Sequence, residues 1–141
     1  MRKQQNFQWK EMTMGTCYYP EHWDESLWRD DLRRMLENGI EVIRIAEFAW
    51  SKIERYEGVF NYDFFDRFLD VAADMGMKVI FCTPTATPPA WLTEKYPEVL
   101  NANMDGVLYR HGGRRHYNYN SPKYQELTRI IVEKSASHYA K

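Results

Sequence analysis

The feature of this sequence that most constrains its fold is the alternation of short apolar runs with longer amphipathic segments. The apolar runs are "MTMGTCYYP" (12–20), "EVIRIAEF" (41–48) and "MKVIFCTP" (77–84). Their length and composition predict three strands, the first of them short and buried. Strands that are apolar along their length and alternate with helices are typical of a parallel sheet covered by helices.

Two amphipathic segments separate these runs. Asp24 can cap a helix that ends near Gly39, and a second helix is expected from Asp63 to Gly76. The apolar residues at helical spacing are Leu27, Trp28, Leu32, Met35 and Leu36 in the first segment, and Phe65, Phe68, Leu69 and Ala72 in the second. The intervening "EGVFNYD" (57–63) is predicted to form a turn.

The regular alternation stops after the third strand. Residues 85–120 form a long irregular segment, in which one short helix is predicted around Pro89 to Lys95. Ser121 and Pro122 then supply the cap and first-turn proline of a third long helix that runs toward Tyr139. Its inner face is marked by Leu127, Ile130 and Ile131.

Two architectures cover a parallel sheet with helices, namely an open doubly wound sheet and a closed (β/α)8 barrel. The turn after the first strand, "YYPEHWDES" (18–26), has no glycine to let a phosphate approach, and the sequence contains no dinucleotide or phosphate-loop motif. Polar and aromatic residues instead follow each strand, where barrel enzymes place their chemistry. These residues are Tyr19, Glu21, His22, Glu47, Trp50, Thr83, Thr85 and Trp91. We therefore predict an α/β fold, the first three βα units of a (β/α)8 TIM barrel that is incomplete in this chain.

Composition restricts the partners and the compartment. A net charge of −1 over 141 residues argues against a nucleic-acid partner, whereas an aromatic content of 16% offers flat rings on which sugars stack. No run of residues is long enough to span a membrane, and residues 1–12 lack the apolar stretch of a signal peptide, so we expect a cytoplasmic protein without a membrane partner. Cys17 and Cys82 lie in apolar runs, where reduced cysteines pack as small hydrophobes.

Several residues could carry chemistry, and each has a structural alternative. Glu47 ends the second strand and could either act on a substrate or pair with Arg44. Glu21 and His22 could contact a substrate or anchor the loop after the first strand. No pair of carboxylates has the arrangement that glycoside hydrolysis requires.

The segment "GGRRHYNYNSP" (112–122) is the most distinctive irregular stretch. The forked guanidinium groups of Arg114 and Arg115 match the vicinal hydroxyls of a sugar, although a solvated turn explains them equally well. His111 and His116 have no cysteine or carboxylate nearby at ligand spacing, which makes them a weak zinc site.

Six phrases in this order resemble the amino-terminal portion of glycoside hydrolase family 42, the β-galactosidases. They are "YYPEHW", "VIRIAEFAWSKIE", "EGVFNYDFFDRFLD", "TPTATPPAWL", "YPEVL" and "GGRRHYNYNSPKY". The resemblance runs from about Met12 to the end of the chain, and the phrases containing "TPTATPPAWL" and "GRRHY" are the most specific.

The resemblance implies a (β/α)8 catalytic domain, of which residues 1–141 are the amino-terminal part, and hydrolysis of terminal β-D-galactosyl residues with retention. The two catalytic glutamates of the family then lie beyond Lys141, so this chain holds no catalytic residue and is expected to be inactive alone. Arg114 matches the family arginine that contacts the galactosyl unit, while Arg115 is expected to hold the loop. The resemblance also implies a homotrimeric full-length protein.

Two residues depart from the family pattern. Asn118 stands where zinc-binding members have a cysteine, and a carboxamide cannot replace a thiolate, so we expect neither zinc nor another cofactor. Ala46 stands where a glycine is frequent, a change expected to matter little. Two alternatives to a β-galactosidase remain, a sugar-binding barrel fragment without catalysis and a related barrel glycosidase with another sugar preference.

Overall fold

The computed structural model describes residues 12–140, which form two compact units. The first unit contains residues 12–45 and 63–82, and the second contains residues 46–62 and 83–140. The amino-terminal stretch whose composition was considered above, residues 1–11, lies outside the described residues. Within residues 12–140, no helix is long and apolar enough to cross a membrane.

The predicted long elements are all present. The strands are β1 (Met14–Cys17), β2 (Ile40–Ile45), β3 (Glu54–Tyr56), β4 (Val59–Phe60) and β5 (Lys78–Phe81). The helices are α1 (Trp28–Glu37), α2 (Trp50–Ile53), α3 (Asp63–Asp74), α4 (Ala90–Lys95) and α5 (Pro122–Tyr139). The three predicted strands are confirmed as β1, β2 and β5, the three long helices as α1, α3 and α5, and the short helix as α4.

The first unit is built on a parallel sheet with the strand order β1-β2-β5. Residues paired across a parallel sheet share a face, and Cys17, Arg44 and Ile80 form one such row, all of it exposed. Ile43 and Ile45 alternate with Arg44 along β2 and are fully buried. They lie on the covered face of the sheet, because α1 packs on β2 and α3 packs on β5.

Aromatic rings join the two helices of this unit. The Trp28 indole in α1 meets the rings of Phe64 and Phe68 in α3 edge to face, with centroids 5.2 Å apart in both pairs. Each such pair contributes about 0.5–1.5 kcal/mol beyond the burial of its surface. The indole N–H donates to the Pro20 carbonyl oxygen at 3.3 Å, so the polar atom of this buried ring is also satisfied.

The beginning of α1 differs in detail from the prediction. Asp24 caps a 3-10 turn, Glu25–Leu27, by accepting the backbone N–H of Ser26 at 2.9 Å, and α1 follows this turn directly. The end of the helix agrees with the prediction. Gly39 has a φ of +78°, the left-handed conformation that glycine adopts without strain.

The predicted burial of β1 is wrong, because all four of its residues are exposed. Within residues 12–140, β1 pairs with β2 on one side and has no strand on the other. Gly15 permits that pairing, since a Cβ atom there would lie 2.9 Å from the Val42 carbonyl oxygen. Cys17 does not pack as a small hydrophobe either: it is exposed, and its Sγ lies 3.1 Å from the guanidinium of Arg44. Cys17 and Cys82 form no disulfide.

The second unit contains a hairpin where only a turn was predicted. β3 and β4 pair antiparallel on either side of Glu57 and Gly58, and the one-turn helix α2 precedes them. Glu54 is 3% exposed, and its two oxygens accept the Trp50 indole N–H at 2.7 Å and the Gly58 backbone N–H at 2.8 Å. Burial raises the pKa of the Glu54 carboxyl above its ordinary value, outweighing these two hydrogen bonds.

Helix α5 packs in the same unit through its predicted inner face. Ser121 caps the helix by accepting the backbone N–H of Tyr124 at 3.4 Å, and Leu127 and Ile131 are buried. The Tyr124 hydroxyl donates to the Thr85 carbonyl oxygen at 2.8 Å, which attaches the helix to the segment after β5.

Ala46, the departure from the family pattern noted above, is strained rather than neutral. It is fully buried and has a φ of +66°. A side chain in the left-handed region costs about 1–2 kcal/mol, which explains why glycine is frequent at this position in the resemblance.

We expect Ala46→Gly to leave the free energy of unfolding unchanged or to raise it by up to about 1 kcal/mol, because relief of strain offsets the greater unfolded-state entropy of glycine. Ala49→Gly is the matched control, since Ala49 is equally buried, at 2% exposed, but has a φ of −95°. Ala49→Gly should lower the free energy of unfolding by about 0.5–1 kcal/mol. Urea denaturation of the purified protein measures both, and equal losses would contradict the strain at Ala46.

We expect Glu54→Gln to lower the free energy of unfolding by about 1–3 kcal/mol, because glutamine has one acceptor oxygen where two donors point. Glu57→Gln is the control. Glu57 lies in the same hairpin but accepts hydrogen bonds from Lys95 and Tyr96 at the surface. Glu57→Gln should therefore lower the free energy of unfolding by less than about 1 kcal/mol.

The pH dependence of the stability lost in Glu54→Gln provides a second measurement. The folded-state pKa of Glu54 is raised from 4.5, so the carboxyl stabilises the fold fully below that value and loses this contribution as the pH rises through the raised pKa. The penalty of Glu54→Gln should therefore shrink as the pH increases above 4.5. A penalty that grows over this range would show that the ionised carboxylate is the stabilising form.

Candidate functional site

The candidate site is a loop, residues 110–115, that is closed at its base by one residue of the second unit. Asn101 accepts the backbone N–H of Tyr109 at 2.7 Å and donates its own N–H to the carbonyl oxygen of His116, also at 2.7 Å. Residues on either side of Asn101 extend the pairing as antiparallel bridges, Leu100 with Tyr117 and Ala102 with Leu108. We call residues 110–115 the arginine loop, because both of its ends are fixed to the same short extended segment and Arg114 lies near its tip.

A buried histidine holds the arginine loop from inside. His116 is 1% exposed, and its Nδ1 lies 2.5 Å from the carbonyl oxygen of Gly113. A carbonyl can only accept, so Nδ1 carries a proton and donates it. The same carbonyl belongs to the peptide bond that leads into Arg114. On either side of this peptide the backbone is left-handed, at Gly112 (φ +88°) and at Arg115 (φ +56°).

A second histidine attaches the loop to α4. His111 Nδ1 lies 2.9 Å from the hydroxyl oxygen of Thr93, and that hydroxyl lies 3.1 Å from the carbonyl oxygen of Ala90. Since the single hydroxyl proton goes to the carbonyl, His111 is the donor to Thr93. The ring also meets His116 edge to face at 4.9 Å. Burial and the neighbouring His116 lower the pKa of His111, against the smaller opposing effect of Glu94, which favours the neutral imidazole.

Arg114 itself is exposed. Its guanidinium makes no hydrogen bond or ion pair with any residue in the range 12–140, and the same holds for Arg110 and Arg115. The guanidinium of Arg114 is therefore available to a ligand. Arg115 was expected to hold the loop, but the hydrogen bonds that fix it come from Asn101, His111 and His116.

The sequence analysis considered His116 only as half of a weak zinc site, and its near-complete burial is the main feature of the site that the sequence did not predict. The local pattern is two glycines separated from the histidine by two arginines, and it carries no signal for burial.

The residues around Asn118 do not fit a zinc site. Its side-chain oxygen accepts the backbone N–H of Asn120 at 2.9 Å, and its backbone N–H donates to the carbonyl oxygen of Val99 at 2.8 Å. The side-chain oxygen is thus engaged in a turn, and the residue lacks the thiolate that zinc prefers. Across the described part of the chain, no three His, Cys, Asp or Glu side chains are grouped so that they could hold a metal ion.

The other candidates are divided between the two units. Glu47 is half-buried in the turn after β2, in the second unit. Glu21 and His22 lie in the first unit, in a 3-10 turn after β1 (Pro20–His22), where Glu21 is half-buried and His22 is exposed.

Two of the tryptophans that follow strands have structural roles. Trp50 is fully buried, and its indole N–H donates to the Glu54 carboxylate. Trp91 is half-buried, and its indole N–H donates to the Glu54 backbone carbonyl at 3.0 Å. Neither indole N–H is therefore free for a sugar hydroxyl.

Arg44 is a candidate that the sequence did not single out except as an ion-pair partner. It is the penultimate residue of β2 and lies on the sheet face opposite the helices. Side chains near the carboxyl ends of barrel strands are where such enzymes place functional groups. The signal was present in "IEVIRI", in which one long cation interrupts a row of buried aliphatic residues.

Comparison with known proteins identifies the architecture. A family model for glycoside hydrolase family 42, described as β-galactosidase, matches residues 17–141. A β-galactosidase of a Thermus species is 47% identical over 126 residues, covering 89% of this chain and 20% of that protein. One from Halorubrum lacusprofundi is 42% identical over 129 residues, covering 92% of this chain and 18% of that protein. The crystal structure of a β-galactosidase from the psychrophilic Marinomonas ef1 superposes with a TM-score of 0.87 at 42% identity, covering 91% of this chain and 20% of the other.

These matches confirm the predicted fold class, the first βα units of a TIM barrel. The chain spans about a fifth of the length of the relatives it matches. Because the family model covers nearly all of the sequence, this chain belongs to glycoside hydrolase family 42, the family of the β-galactosidases.

Proposed function

We propose that residues 1–141 are the amino-terminal part of the (β/α)8 catalytic domain of a β-galactosidase. The whole protein removes terminal non-reducing β-D-galactose residues from β-D-galactosides with retention of configuration. Membership of the family and the names of the relatives support this activity. Two glutamates supplied by a later part of the protein carry the chemistry, with their carboxyl groups about 5–5.5 Å apart, one as nucleophile and one as acid and base.

The observation that carries the role of this chain is the geometry of Arg114. An exposed guanidinium without a protein partner stands on a loop whose base and interior are fixed by hydrogen bonds. A guanidinium offers paired donors at the spacing of two adjacent sugar hydroxyls. Arg110 and Arg115 are also exposed and without a partner within residues 12–140, so the family resemblance selects among the three. Arg114 matches the family arginine that contacts the galactosyl unit, and we assign it that contact and no bond change of its own.

Arg114→Ala in the full-length protein should lower kcat/KM for an aryl β-D-galactoside by about 10- to 100-fold, since a hydrogen bond from a charged group contributes about 1.5–3 kcal/mol. Arg110→Ala is the matched control, because Arg110 has the same charge, the same loop and the same lack of a partner within residues 12–140. Equal effects of the two substitutions would reduce the role of Arg114 to a general contribution of positive charge.

The 141-residue chain alone should not hydrolyse an aryl β-D-galactoside, because the proposal places both catalytic carboxylates elsewhere in the protein. The measurement is release of nitrophenol by the purified chain, with the full-length protein as the positive control. Turnover by the chain alone, in a preparation from a host that lacks its own β-galactosidase, would contradict this division of the site.

The alternatives make different predictions. A sugar-binding protein without catalysis would bind galactose and leave every aryl glycoside intact. A glycosidase of another specificity would release nitrophenol faster from aryl glucosides or mannosides than from aryl galactosides. Comparison of these three substrates with the full-length protein separates them.

The same proposal includes the setting of the enzyme. We assign it to the cytoplasm, which fractionation of the source cells tests, and to a homotrimer, which light scattering on the full-length protein tests. We assign it no zinc, because Asn118 is engaged in a turn and offers no thiolate. Its partners are then the galactoside substrate and its own copies, with no nucleic acid.

A further inference from the structure

The direction of the Arg114 side chain depends on the orientation of the peptide bond between Gly113 and Arg114. The carbonyl of this peptide belongs to Gly113, a residue without a side chain that could restrict it, and the residues on both outer sides, Gly112 and Arg115, have left-handed backbone. Glycine populates many conformations readily, so the local sequence does not fix the plane of this peptide. Some other group must do so if Arg114 is to meet a ligand in one direction.

His116 is that group. Its Nδ1–H donates to the Gly113 carbonyl oxygen at 2.5 Å, and the ring that carries the proton is itself immobile because it is 1% exposed. The backbone of His116 is fixed independently, by the hydrogen bond that its carbonyl accepts from Asn101. The imidazole therefore connects a rigid extended segment to the one peptide that sets the position of the Arg114 Cα.

The other imidazole nitrogen makes no competing hydrogen bond. His116 Nε2 is buried and has no hydrogen-bond partner among residues 12–140, and the ring meets that of His111 edge to face at 4.9 Å. The hydrogen bond of the His116 side chain is therefore the one that Nδ1–H donates to the Gly113 carbonyl oxygen.

We propose that His116 is a positioning residue for substrate binding, which acts by fixing the Gly113–Arg114 peptide so that the Arg114 guanidinium presents its donors to the sugar. The inference rests on the proposed role of Arg114. It adds that His116 connects Arg114 to the rest of the fold. It requires no contact between His116 and the substrate.

The test is a double-mutant cycle in the full-length protein with an aryl β-D-galactoside. His116→Leu removes the donor and retains an apolar volume in the buried site, and it should raise KM and lower kcat/KM by about 10- to 100-fold, no more than Arg114→Ala does. In the Arg114→Ala background the same substitution should change kcat/KM by less than about threefold, because the group through which it acts is already gone.

His116→Asn provides the rescue. Asparagine places an N–H donor the same number of bonds from Cβ as the imidazole Nδ1, so it can restore the hydrogen bond to Gly113, and kcat/KM should return to within about threefold of the wild type. A residue that served only the stability of the unit would lower the melting temperature in every background and would give additive losses in the cycle.

The outcomes separate the two claims. Additive losses, failure of His116→Asn to recover activity, or unchanged kinetics in His116→Leu while Arg114→Ala is impaired would each overturn the positioning role and leave the role of Arg114 intact. Unchanged kinetics in Arg114→Ala itself would overturn the proposed binding role of Arg114, and with it the inference that depends on it.

Discussion

Parallel pairing of β1, β2 and β5 is the constraint on which the first unit depends. Parallel strands cannot be joined by tight turns, so each pair needs a crossover connection, which is usually a helix. In the first unit α1 lies in the connection between β1 and β2, and α3 precedes β5. Both helices lie on the face of Ile43 and Ile45, and the rings of Trp28 and Phe68 join them. The opposite face retains the exposed row that contains Arg44.

The parts of the fold that were predictable are those whose signal repeats over several residues. The helical spacing from Phe65 to Ala72 and from Leu127 to Ile131 specified α3 and α5, and the apolar runs specified β2 and β5. The exposure of β1 was not predictable, because it depends on having a neighbour on only one side. Nor was the Glu54 hairpin, since its strands are two and three residues long and its donors, Trp50 and Gly58, become related only after folding.

The candidate site divides in the same way. Arg114 was identified through the family phrase "GRRHY" and not through any periodicity. What surrounds it depends on tertiary contacts that no local pattern reports: the burial of His116, the hydrogen bond from His111 to Thr93, and the commitment of Asn118 to a turn. An exposed arginine is in this case supported by a buried imidazole that never reaches the solvent. The family resemblance therefore selects Arg114 as the proposed binding residue, and the structure adds the hydrogen bonds that fix the loop around it.

The two backbone hydrogen bonds of Asn101, to Tyr109 and His116, also separate the arginine loop from the turn at residues 103–107. The hairpin before it turns at Asn103, whose side-chain oxygen accepts the backbone N–H groups of Asp105 and Val107, so that turn is closed by its own atoms. Along the chain, the base at Asn101 separates residues 104–106 from Arg114. We therefore expect that, in the proposed enzyme, a fluorophore, an epitope or a surface tether attached at residues 104–106 leaves the proposed binding residue undisturbed.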